Sequence, residues 1–112
     1  MLKTLKLINS SSIVKKYEIQ DFKEDRDFYF LKLKITFIDN NILFVKEYVS
    51  QNEYLYSYHW QDNQDNLLIR WDNSPHHKEL GTFPHHKHSP NLEESFEICF
   101  TDVFSVIRDR LS

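Results

Sequence analysis

The chain has 112 residues, enough for one domain and too few for two. Its hydrophobic share of 40% and aromatic share of 15% can fill a core without a covalent staple. A formal net charge of −3 and a pI near 6.0 exclude nucleic-acid binding by bulk electrostatics, so any such contact must be local. The single glycine, Gly81, excludes Gly-rich phosphate loops, and the single cysteine, Cys99, excludes an internal disulfide and points to a reducing compartment.

Residues 1–12 carry no decisive period and read either as an arm or as a short helix. Lysines interrupt the first seven residues, which fit neither a signal peptide nor a membrane span, so no membrane partner is expected. Residues 13–22 are strand-like, with Tyr17 and Ile19 on one side, and an acidic turn follows at 23–27. The clearest strand is 28–38, where Leu31, Leu33, Ile35 and Phe37 alternate with Lys32, Lys34 and Thr36, the period of a half-buried strand. Asp39-Asn40-Asn41 is hairpin-turn chemistry.

Residues 42–49 are apolar on both parities, as in a central strand, although Lys46-Glu47 reads as a solvated edge. Residues 53–61 form a fourth strand with an aromatic parity, Tyr54, Tyr56, Tyr58 and Trp60, and an opposite parity of Leu55, Ser57, His59 and Gln61. After a polar turn at 62–66, residues 67–72 form a fifth strand. Residues 73–95 hold Pro75, Gly81, Pro84 and Pro90 with no sustained period. They read as a long His-rich loop, a length usual for functional or disordered segments. Thr101 is a plausible N-cap, and Val103, Phe104, Ile107 and Leu111 make one helical stripe. Cys99 reads as buried and inert. The pattern predicts a single α+β domain: an antiparallel β-sheet meander of about five strands with a C-terminal helix packed on one face.

Three segments, Tyr56-Ser57-Tyr58-His59-Trp60-Gln61, Arg70-Trp71-Asp72-Asn73-Ser74-Pro75-His76-His77 and Thr82-Phe83-Pro84-His85-His86-Lys87-His88, resemble the signature of the TumE family of small prokaryotic proteins, and the likeness extends over the preceding strand at 44–49. Ser74 is the one departure, where a small apolar residue is expected. The resemblance implies the toxin component of a toxin–antitoxin pair, a cytoplasmic protein encoded beside a small DNA-binding antitoxin, acting on RNA as a ribonuclease. It brings no set of catalytic residues with it.

All six histidines lie between His59 and His88. Metal-independent RNA cleavage needs a base for the 2′-hydroxyl, an acid for the leaving oxygen and a cation for the phosphate. Histidine suits both proton tasks. The catalytic candidates are therefore His59, His76, His77, His85 and His86, with Arg70 and Asp72 beside them. Tyr58, Trp60 and Trp71 are candidates for stacking splayed bases, and Lys87 for a phosphate contact, while core packing is the competing reading of the aromatic parity. Two alternatives remain open. The same histidines with His88 and Asp72 offer ligands for a metal-dependent hydrolase, although no cofactor is required by the pattern. The segment could equally recognise a partner protein or nucleic acid without cleaving it, its histidines serving to satisfy a glycine-poor loop backbone.

Overall fold

The computed structural model describes residues 2–73, 86–88, 92–94 and 97–111, with the backbone alone at 2, 86–88 and 92–94. Its elements run α1 (Leu2–Ser10), β1 (Val14–Glu24), β2 (Phe28–Phe37), β3 (Ile42–Ser50), β4 (Tyr54–Gln61), β5 (Leu67–Asp72), β6 (His86–His88), β7 (Leu92–Glu94) and α2 (Phe100–Leu111). The strands form one antiparallel sheet in sequence order, β1-β2-β3-β4-β5-β6-β7. The five long strands and the terminal helix are the α+β meander that the periodicity predicts.

Local chemistry makes the hairpins tight. Asn40 takes a left-handed conformation (φ 71°), and the Asp39 carboxylate accepts a hydrogen bond from the Asn41 backbone N–H at 2.9 Å. Between β4 and β5, Asp65 is left-handed (φ 67°). There the Asp62 carboxylate accepts from the backbone N–H groups of Gln64 and Asn66 at 2.8 and 3.0 Å. Such Asx contacts let a chain reverse without glycine.

Both helices lie on the same side of the sheet. Leu31, Leu33, Ile35 and Phe37 of β2 and Leu43 of β3 are fully buried against Ile8 of α1 and Val103, Phe104 and Ile107 of α2. Phe37 meets Phe104 with ring centroids 6.1 Å apart. Each such side chain taken from water contributes about 1.5–3 kcal/mol, so the helices hold the sheet's shape. Tyr17 and Ile19, on the outermost long strand, stay 38% and 42% exposed.

Four expectations are corrected. Within the span read as an unbroken loop, β6 and β7 pair with the sheet, because three-residue strands are too short to show a period; residues 74–85 lie outside the described residues. The α2 N-cap is Cys99, two residues before Thr101: its carbonyl accepts from the Val103 N–H, and the Asp102 carboxylate reaches back to the Cys99 N–H at 2.9 Å, half of a capping box. That position leaves Cys99 exposed. Finally, Glu47 is buried at 4% exposure. Its carboxylate accepts hydrogen bonds from the hydroxyls of Tyr58 and Tyr29, the latter at 3.4 Å. Burial first, and the Glu47 charge second, push the Tyr29 hydroxyl up to about 12 and raise that of Tyr58, so both remain donors. Among the described residues, no helix is long and apolar enough to cross a membrane.

Candidate functional site

The sheet's second face gathers ionisable and aromatic side chains. Opposite the helices, registers align the strands into rows of facing residues. One row runs Lys34, Phe44, His59, Arg70 and the β6 position of His88. The next runs Lys32, Lys46, Ser57, Asp72 and the β6 position of His86. A third runs Phe30, Tyr48 and Leu55. Neighbouring rows are two residues apart along each strand, about 7 Å.

His59 is half-buried on β4. Its Nε2 lies 3.0 Å from Gln61 Oε1, and Gln61 Nε2 donates to the Asp65 carboxylate at 2.9 Å. The carboxylate can only accept, so it takes the amide N–H of Gln61 and turns the carbonyl oxygen to the imidazole. A carbonyl oxygen also only accepts, so His59 Nε2 carries the proton and the neutral ring keeps its lone pair on Nδ1. Desolvation, then the nearby Arg70 charge, lower the His59 pKa from the ordinary 6.5 against the opposing Gln61 hydrogen bond. His59 is therefore a neutral base with a defined tautomer at neutral pH.

Arg70 stands across from His59 in the next strand. Its Nε donates to Asp72 at 3.0 Å, with the arginine side chain 42% exposed and the aspartate side chain 6% exposed. The buried carboxylate thus fixes the guanidinium's stem, while the exposed remainder of its fork stays available to an anion. Two open cavities border these groups. One of about 430 Å³ is lined by residues including Lys32, Phe44, His59 and Arg70. The other, about 420 Å³, includes Phe30, Lys46, Tyr48, Arg70 and Asp72. His59 and Arg70 share the first cavity, and Arg70 and Asp72 the second.

The remaining candidates fall differently. His86 and Lys87 take β6 register positions facing Asp72 and Trp71. His76, His77 and His85 lie outside the described residues. Tyr58, Trp60 and Trp71, candidates for base stacking, are instead core residues at 0%, 3% and 5% exposure: the aromatic parity of β4 faces the helices, and Arg110 of α2 covers the Trp60 ring at 5.4 Å. Asn73 is structural, its side-chain oxygen accepting from the Tyr56 backbone N–H at 2.9 Å. Among the described residues, no group of three or more His, Cys, Asp or Glu side chains is placed to hold a metal ion.

The sequence reading missed Phe30, Lys32, Lys34, Phe44, Lys46 and Tyr48 as members of this face. Lys34 sits 5.9 Å from the centre of the Phe44 ring, and Phe44 lies 6.1 Å from the His59 ring. The lysine alternation in β2 was the available signal, but it reads equally as a solvated strand face until cross-strand neighbours are known.

A family model described as Toxin TumE matches residues 4–112. No curated protein and no solved structure matches the chain.

Proposed function

The chain belongs to the TumE toxin family, and on that premise we propose that this toxin component of a toxin–antitoxin system is a small ribonuclease with a histidine-based general acid/base site. The observation that supports it is the pairing of a neutral, tautomer-defined His59 with the half-exposed Arg70 on one face of the sheet. In this reading His59 Nδ1 accepts the proton of the attacking 2′-hydroxyl, and Arg70, steadied by Asp72, binds the phosphate as charge builds on it. The acid that protonates the leaving 5′-oxygen is a second histidine, drawn from His76, His77, His85 and His86. Its partner antitoxin is a small DNA-binding protein encoded next to it, and the site of action is the cytoplasm.

The test is expression without the antitoxin. Growth should slow and cellular RNA should be degraded. His59→Ala should relieve toxicity while the circular dichroism spectrum is unchanged, since loss of a general base costs roughly 10²- to 10⁴-fold in rate. Cleavage by purified protein should persist with a chelator present. Loss of cleavage that zinc or manganese restores would favour a metal-dependent hydrolase, and tight RNA or partner binding without any cutting would leave a binding module.

A further inference from the structure

The helix-free face of the sheet is more than the setting of two catalytic groups. The chain as a whole is acidic, yet Lys32, Lys34 and Lys46 cluster on β2 and β3 of this one face, with Arg70 two strands further on beyond His59; on β1, Glu18 stands opposite Lys34. Lys32 and Lys46 are directly opposite each other in neighbouring strands, and both are exposed. Like charges so placed repel and destabilise a strand pair. Asp21 stands opposite Lys32 on β1 but pairs with Lys23 at 3.8 Å, and among the described residues no carboxylate lies within ion-pair distance of Lys32 or Lys46. Beside this cationic row runs an apolar one: Phe30, Tyr48 and the 41%-exposed Leu55. Phe30 and Tyr48 face each other across β2 and β3, are only partly buried, and border the 420 Å³ cavity that Lys46 and Arg70 also line; Lys23 stands 5.9 Å from the centre of the Phe30 ring and Phe28 stacks on Tyr48 at 5.7 Å. On the far side of the lysine row lies the row of His59 and Arg70.

We infer that this face is a binding platform for single-stranded RNA, in which an unpaired base packs on Phe30 and Tyr48, Lys32 and Lys46 hold the intervening backbone phosphates, and the chain is thereby led to Arg70 and His59. The inference rests on the ribonuclease reading and deepens it. Half-exposed aromatic rings beside a cationic track are how proteins hold unpaired strands, because every base has a π face and every link a negative charge. A duplex keeps its bases stacked on one another, so single strands are preferred. An acidic protein segment would meet the lysines and the rings as well, but on the ribonuclease reading an RNA strand must cross this same face to reach Arg70 and His59, which is why RNA is the occupant.

The experiment measures fluorescence anisotropy of a short labelled single-stranded oligoribonucleotide on full-length His59→Ala protein, so that binding is read without cleavage. The same strand annealed to its complement is the comparison. Phe30→Leu and Tyr48→Leu keep an apolar side chain while removing the ring, and each should weaken binding roughly five- to hundredfold. Lys32→Gln and Lys46→Gln together should make the dependence of log K on log salt shallower by about 1.4, two phosphate contacts at roughly 0.7 each. Circular dichroism verifies that each variant is folded. If the three variants bind as the parent does while protein with His59 intact still cuts RNA, the platform is wrong and the ribonuclease reading survives. If binding falls as expected but protein with His59 intact never cuts, the platform stands and the ribonuclease reading falls. Equal binding of single strand and duplex, or losses seen only with the antitoxin and not with RNA, would overturn the inference.

Discussion

The two faces of one sheet are given opposite surroundings by strands that alternate every second residue. The helix-covered face holds Leu31, Leu33, Ile35 and Phe37 of β2 at full burial, and even its charged member, Glu47, is enclosed by tyrosine hydroxyls. The open face uses the residues between them: Phe30, Lys32 and Lys34 on the same strand, and Phe44, Lys46 and Tyr48 on the next. A phenylalanine on the first face contributes to stability through dry contacts. One on the second keeps part of its ring toward solvent and shares the rest with a lysine or a neighbouring ring, as Phe44 does with Lys34 and His59. Aromatic content alone therefore does not locate a binding surface; which face a ring occupies does.

The comparison is broken most severely by removing α2. Its four buried side chains, Phe100, Val103, Phe104 and Ile107, account for roughly 6–12 kcal/mol at about 1.5–3 each, comparable with the entire stability of a domain, about 5–15 kcal/mol. Protein truncated before Phe100 should be insoluble or unfolded by circular dichroism. A soluble, folded truncation would show that the helix is not what buries that face.

A paired substitution comes next. Phe104→Ala should cost about 3–5 kcal/mol in chemical denaturation, the usual range for emptying a packed aromatic site. Phe44→Ala on the open face should cost well under half of that. Equal losses would mean that the open face is as packed as the covered one. Buried charge gives a finer contrast: Glu47→Ala removes the acceptor of the Tyr58 and Tyr29 hydroxyls, and because Tyr58 keeps the Tyr54 hydroxyl 2.8 Å away and Tyr29 is only partly buried the whole loss should be about 1–3 kcal/mol, whereas Lys46→Ala next to it should stay within about 0.5 kcal/mol.

The smallest effect is on pH. Because the folded state lowers the His59 pKa below 6.5, the unfolded chain binds the proton more readily. His59 thus costs no stability well above pH 6.5, and its contribution grows unfavourable as pH falls through 6.5 toward the folded value. His59→Gln should remove part of the acid sensitivity of folding. In the parent, NMR titration of the His59 ring should show a midpoint below 6.5, and Arg70→Gln should move it upward by removing the second of its two causes. An unchanged midpoint would show that Arg70 does not reach His59 electrostatically.

Much of the covered face was legible along the chain. Strict alternation in β2 names both the strand and its buried parity, whereas the aromatic parity of β4 reads equally as core or as a stacking surface until burial decides for core. The stripe of α2 follows from helical spacing in the same way, although its cap was misplaced by two residues because the carboxylate that closes it, Asp102, reaches backward. Less was legible where a residue's role depends on another strand. Glu47 has nothing in its own segment to predict burial; its partners come from β2 and β4. Cys99 is flanked by apolar residues, yet a capping position leaves it exposed.

What the sequence determined by itself was periodicity: which segments are strands, where Asn and Asp turn them, which parity seeks the core, and that the ionisable chemistry concentrates near one end of the meander. These follow from rules that act over a few neighbouring residues. Only the tertiary structure decided which side chains of the other parity stand beside one another. The register between β2 and β3 sets Lys32 against Lys46 and Phe30 against Tyr48, and that between β4 and β5 sets His59 against Arg70. A slip of one residue in either pairing would turn one strand's open-face residues to the helices, so the open face exists only once hairpin turns and core packing have together locked the strands in place.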